Sequence, residues 1–126
     1  ERLIPRLLTA SGSCRVRQRL KIPYLEVKYK TDSQGYIKSI SKETFPAEGE
    51  ALGINLIKRK ELPILKQHLA LIDDQDYFEK AIENMIEQEN IKFLPIDVNG
   101  LFCCEVDFPE DLECARKYFI RIWQKC

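Results

Sequence analysis

The chain has 126 residues, with 20 lysines and arginines balanced by 20 aspartates and glutamates, and 44% of its residues are hydrophobic. That length fits one compact α/β-sized domain with a real core, since a chain of this size buries roughly two thirds of its unfolded surface on folding. Zero net charge excludes recognition of nucleic acid or of an anionic membrane through a general field, so any recognition is local.

Residues 2 to 9 have the pattern of a short helix or its tail, closed by the small polar cluster Ser11, Gly12, Ser13. The apolar stretch there is interrupted by Pro5 and Arg6 and is too short for a signal segment or a membrane span. The first residue is Glu1 and not methionine, which points to a fragment. Arg15, Arg17, Arg19 and Lys21 in "CRVRQRLKIP" are most simply a solvated face, on a strand or a basic loop.

In "YLEVKYKTDSQGYIKSISKE", Leu25, Val27 and Tyr29 alternate with Glu26, Lys28 and Lys30; Asp32 to Gly35 supply turn chemistry, and Ile37 and Ile40 follow in a second strand. The pattern predicts a hairpin with one wet and one dry face. "TFPAEGE" reads as a loop and "ALGINLIKR" as a strand covered on both faces. "KELPILKQHLALI" places Leu62, Leu65 and Leu69 at helical spacing, with Pro63 tolerated in the first turn. His68 falls on that helix and reads as a packing residue before a base or ligand.

"DQDYFEKAIENMIEQEN" predicts a second helix with Phe78, Ala81, Ile82, Met85 and Ile86 inward, and a capping box from Asp76 to Glu79. "IKFLPIDV" and "LFCCEV" are apolar runs joined by Asn99-Gly100, a hairpin signal. Pro109 at the first helical position and Glu110 and Asp111 in the first turn start a last helix, with Leu112, Ala115, Phe119 and Ile122 inward. The whole predicts a single α/β domain over 1–126, a mixed sheet flanked by helices.

Five cysteines, Cys14, Cys103, Cys104, Cys114 and Cys126, form an odd set without a C-x-x-C pair. That argues against a zinc site or a disulfide framework and for a reducing, cytoplasmic compartment. Adjacent Cys103 and Cys104 would face opposite sides of a strand and read as small core residues. Glu105 and Asp107 are two apart, so on a strand they share a side, next to a strand end where open α/β sheets bind ligands. Two such acids suit a hard cation such as magnesium; alternatively Asp107 caps the last helix and Glu105 is simply exposed.

"DVNGLFCCEVDFPEDLECARKYF" resembles the closing segment of the sugar-phosphate and phosphocholine nucleotidyltransferases, with a pattern of roughly D-x-x-G-L-P-W-x-E-I-D-T-P-E-D-L-x-x-A. Asp97, Gly100, Leu101, Glu105, Asp107, Pro109, Glu110, Asp111, Leu112 and Ala115 match; Phe108 stands in place of the threonine. "GEALGINLIKRKELPIL", "DYFEKAIENMI" and "GYIKSISKE" resemble further family segments in the family's order, CTP:phosphocholine cytidylyltransferases being the nearest kind. The resemblance spans residues 24–123 and covers the second half of a Rossmann-like catalytic domain, and no G-x-G-x-R nucleotide loop occurs in the chain.

The resemblance implies transfer of a nucleotidyl group from a nucleoside triphosphate, CTP favoured, to a phosphorylated small acceptor such as phosphocholine. It implies Asp107 as the Mg²⁺ ligand, Lys42 as the lysine meeting the acceptor's phosphate, and Glu50, Asp76, Tyr77, Glu79 and Glu105 lining the acceptor site. An aromatic face with carboxylates suits a choline-like ammonium or an amine. Each residue also has a structural reading: Glu79 as the closing member of a capping box, Tyr77 as a packing residue, and Lys42 as a solvated strand-end charge. The competing reading of the whole chain is a non-catalytic binding module that has lost the nucleotide loop, or a domain that oligomerises through an exposed sheet edge.

Overall fold

A computed structural model of the chain describes residues 5–10, 26–98 and 106–124. These divide into two compact units, the first holding 5–10 and 26–98 and the second 106–124.

The first unit is a five-stranded sheet with two helices. Its strands are β1 (Arg6–Ala10), β2 (Lys28–Thr31), β3 (Ile37–Ser41), β4 (Gly49–Leu56) and β5 (Leu94–Asp97), in the spatial order β3-β2-β4-β1-β5. β1 runs parallel to β5 and antiparallel to β4, and β2 runs antiparallel to both β3 and β4, so the sheet is mixed. The helices are α1 (Leu62–Leu71) and α2 (Phe78–Glu89). This is the α/β architecture expected from the alternation of patterns along the chain.

The helix expected over residues 2 to 9 is not formed in its described part: Arg6–Ala10 is a central strand instead. An apolar run of this length cannot hold a helix alone, whereas ladders to β4 and β5 satisfy its backbone on both sides. The register fixes it, with Arg6 opposite Leu94 and Thr9 opposite Asp97. The Leu94 N–H also donates to the Pro5 carbonyl at 2.8 Å.

The β2–β3 hairpin forms as its alternation predicts. At its tip the Asp32 carboxylate accepts the N–H groups of Gln34 at 2.8 Å and Tyr36 at 3.0 Å, an Asx turn that Gly35 completes at φ +85°. The Lys92 ammonium lies over the Tyr36 ring at 4.9 Å and donates to the Gln34 Oε1 at 3.3 Å, tying this tip to the segment before β5.

The core lies between the hairpin face and α2. Ala81, Ile82, Met85, Ile40 and Phe93 have no accessible surface, and Tyr29, Ile37 and Leu65 are nearly as buried. In register, Tyr29 opposes Ile40 and Gly49, so these share the face turned to the core. Lys28, Ser41 and Glu50 form the next row and face the other way. His68 is buried in α1, with its Nε2 3.4 Å from the Glu89 carboxylate at the far end of α2.

Two further expectations are corrected. β4 is not covered on both faces, because Ile54 and Leu56 are more than half exposed. Between Leu7↔Asn55 and Thr9↔Ala51 the β1–β4 register slips, and Gly53, at φ +70°, sits in that bulge. Asp76 does not cap α2: the N-cap is Tyr77, which has no side-chain cap bond, and the Asp76 carboxylate instead accepts the Asp73 N–H at 3.1 Å. A loop turn competes for that carboxylate and wins.

The second unit holds α3 (Pro109–Trp123). Its start is closed by Asp111, 1% exposed, whose carboxylate accepts the N–H groups of Phe108 at 3.0 Å and Asp107 at 3.1 Å. This is the back-reaching half of a capping box, and it serves where Phe108 offers no acceptor of its own. Leu112 and Phe119, expected inward, are 40% and 55% exposed. The Asn99-Gly100 hairpin, Glu105, and the cysteines other than Cys114 lie outside the described residues.

Because Gly53 holds a left-handed conformation with open space where a Cβ would stand, Gly53→Ala costs conformation and no clash. Urea denaturation is expected to show a loss of about 1 kcal/mol for Gly53→Ala, and less for Gly53→Asn, which tolerates that region.

Candidate functional site

The residues that draw attention in the first unit meet where β3 ends and α2 begins. Packing of the α2 stripe on β3 brings these two ends together although 35 residues separate Lys42 from Tyr77. Lys42 follows the last residue of β3 in a tight turn, and Tyr77 is the N-cap of α2.

The turn from Ser41 to Thr44 is built from hydroxyls. Thr44 shares hydrogen bonds with Ser39 at 2.8 Å and Ser41 at 3.1 Å through its Oγ1, and both Ser41 and Thr44 are buried. The Glu43 N–H donates to the Ser41 Oγ at 3.2 Å and the Thr44 N–H to the Ser41 carbonyl at 3.4 Å. Sequence reasoning passed over these hydroxyls, although Ser39, Ser41 and Thr44 flank Lys42 in "SISKET". Such side chains close turns by bonding to nearby backbone.

Tyr77 makes two contacts to Lys42. Its Oη accepts the Lys42 N–H at 3.3 Å, and the Lys42 ammonium stands 4.9 Å from the ring centroid, in cation–π range. Burial holds the phenol's pKa above the usual tyrosine value, outweighing the Lys42 N–H, which pulls it down. The Lys80 N–H donates to the Tyr77 carbonyl at 2.9 Å, so the residue is fixed by the helix that follows it.

The other site candidates are distributed as follows. Glu79 is buried in the first turn of α2, where the helix N-terminus favours negative charge. Asp76 is exposed in the loop just before, engaged in its own turn. Glu50 is half-buried on β4, opposite Lys28 and Ala10, in the row that faces away from the Tyr29–Ile40 core. One turn into α2, the Lys80 ammonium pairs with the Glu83 carboxylate at 2.6 Å, and that hydrogen bond is the main cause of its raised pKa. Asp107 is exposed at the start of α3 in the second unit, and Glu105 lies outside the described residues.

Among the described residues no group of three or more histidines, cysteines, aspartates and glutamates is placed to hold a metal. Magnesium does not need one: it binds through one or two carboxylates and completes its shell with water and phosphate oxygens. An exposed aspartate such as Asp107 fits that requirement.

Fold and topology thus define an α/β protein with a mixed sheet flanked by helices. One solved structure it matches is that of CMP:2-keto-3-deoxy-manno-octonic acid synthetase complexed with CTP, with a TM-score of 0.62 and 18% sequence identity. The alignment covers 95% of this chain and 50% of the synthetase chain, so the protein spans half the length of that neighbour. No family model and no curated protein matches the sequence. No helix among the described residues is long and apolar enough to cross a membrane.

The raised Tyr77 pKa has a consequence for stability. A group whose folded pKa lies above its unfolded value near 10 contributes fully below pH 10, and loses that contribution as pH climbs through the folded value. Ultraviolet titration of the phenols is expected to show a component ionising above the usual tyrosine value, and that late component is missing in Tyr77→Phe.

Proposed function

We propose that this chain is the acceptor-binding part of a nucleotidyltransferase that moves a cytidylyl group from CTP to a phosphorylated small molecule such as phosphocholine. What carries the reading is a fold shared, over nearly its full length, with a synthetase whose structure holds CTP. The segments that resemble the phosphocholine-type enzymes agree with it in kind.

In this reaction a phosphate oxygen of the acceptor attacks the α-phosphorus of the triphosphate, the bond to the bridging oxygen breaks, and pyrophosphate leaves. The protein's share is positioning and cancelling charge. Lys42 meets the acceptor's phosphate: its ammonium pairs with no carboxylate among the described residues and so keeps its charge for an incoming anion. Tyr77 offers an aromatic face, and Asp76 and Glu79 bring negative charge to the same end of α2, which suits an acceptor carrying a cationic head group. Glu50 and Glu105 are assigned to the acceptor's surroundings on the resemblance alone. Mg²⁺, when bound, would be held by Asp107 and would neutralise charge on the triphosphate.

A second reading draws on one observation. Ile54 and Leu56 leave apolar surface open on β4, as a non-catalytic module that pairs with a second copy would. Size-exclusion chromatography over a hundredfold concentration range separates the two: the binding role in catalysis predicts no concentration dependence, self-pairing predicts a shift to a dimer.

Calorimetric titration with phosphocholine tests the main reading. The expected result is binding that weakens roughly 10- to 100-fold in Lys42→Met, the range for losing a charged hydrogen bond. Absence of phosphocholine binding with CTP and Mg²⁺ both present would overturn it.

A further inference from the structure

We infer that Tyr77 is the positioning residue of Lys42, seating its ammonium on the aromatic ring and anchoring its backbone through the phenol oxygen, so that the charge is aimed but not neutralised. The inference rests on the proposal that Lys42 meets a phosphate.

Two contacts of different kinds converge from one side chain on one residue: Oη to the Lys42 N–H at 3.3 Å, and the ring to the Lys42 ammonium at 4.9 Å. A lysine stem has four rotatable bonds, and freezing it costs as much as any side chain. A partner that holds the head group before the anion arrives removes part of that cost from binding. A carboxylate in the place of Tyr77 would hold it as well, but it would cancel the positive charge and repel phosphate. The face of a neutral ring attracts the ammonium through its quadrupole and leaves the net charge intact. It engages one side of the ammonium, and the donors pointing away remain available to an oxygen.

The surroundings are built for this. Tyr77 is fixed as the N-cap of α2, and the Lys42 turn is closed by the Ser39, Ser41 and Thr44 hydroxyls. Burial keeps the phenol in its neutral form well beyond neutral pH, so the seat carries no charge of its own under ordinary conditions.

The test follows the Lys42 ε-methylene in proton–carbon correlation spectra of the isotopically labelled full chain, with Lys42→Met to assign the signal and inorganic phosphate as the probe. In the wild type the signal is expected upfield of the other lysines through the ring current, and phosphate is expected to move it. Tyr77→Leu is expected to return the signal to the bulk position and to weaken phosphate binding at least about threefold. Tyr77→Phe, which keeps the ring, is expected to keep the upfield signal and recover most of the affinity, while the Lys42 amide exchanges with solvent severalfold faster because its acceptor is gone. An ordinary lysine shift in the wild type, or wild-type phosphate affinity in Tyr77→Leu, overturns the role of Tyr77. Should Tyr77→Leu fail to fold, Tyr77→Phe decides: unchanged Lys42 amide exchange overturns the anchoring. Phosphate that leaves an upfield Lys42 signal unmoved in the wild type overturns instead the assignment of Lys42 to phosphate.

Discussion

Burial of one stripe of α2 against the β2–β3 hairpin is the constraint on which the first unit depends. Ala81, Ile82 and Met85 close over Ile40 and Tyr29, with Phe93 sealing the same core from the segment before β5. Apolar burial on this scale is the main favourable term in a small domain, and close packing transmits position from one element to its neighbour. The end of β3 and the start of α2 therefore sit together without any charged contact being needed to draw them there. Lys42 and Tyr77 are carried by that packing.

The polar chemistry is arranged around this core in two directions. On the core side of the sheet's end, a cation rests on an aromatic ring beside the acidic start of α2. On the opposite row, Ser41, Lys28 and Glu50 run across three strands. Glu50 on β4 and Lys42 after β3, with β2 between the two strands, thus stand in different surroundings. In the second unit Asp111, nearly inaccessible, accepts the backbone N–H groups of Asp107 and Phe108 and organises the entry to α3.

Much of this was legible from residue order because local signals agreed with the tertiary outcome. The hairpin follows from the alternation up to Lys30 and the turn chemistry of Asp32 to Gly35, and α2 from its apolar spacing, since Ala81, Ile82 and Met85 are buried as expected, although Phe78, expected inward at the helix start, is 41% exposed. β1 is not legible in the sequence because a run of five residues takes its structure from β4 and β5, which its own composition does not reveal. The Asp76 cap failed for a related reason: capping preferences say which side chains can reach an N–H, and Asp73 offered a nearer one. Lys42 and Tyr77 were each singled out, yet their contact spans 35 residues and no short-range pattern encodes it. The hydroxyl triad around Lys42 is not legible in the sequence because serines and threonines mark turns so generally that spacing alone gives them no role.

The turn after β3 uses its three N–H groups internally, on Tyr77 Oη, Ser41 Oγ and the Ser41 carbonyl. A phosphate-binding loop of the cradling type works by the reverse arrangement, with amides turned outward to grip each oxygen. An anion arriving here would instead meet a point of charge resting on an aromatic ring, which senses valence and says little about shape. Attraction of that kind fades over about a Debye length, roughly 8 Å at physiological ionic strength. Discrimination among anions would then fall to the remainder of any molecule so held, and the lysine turn would supply only the pull.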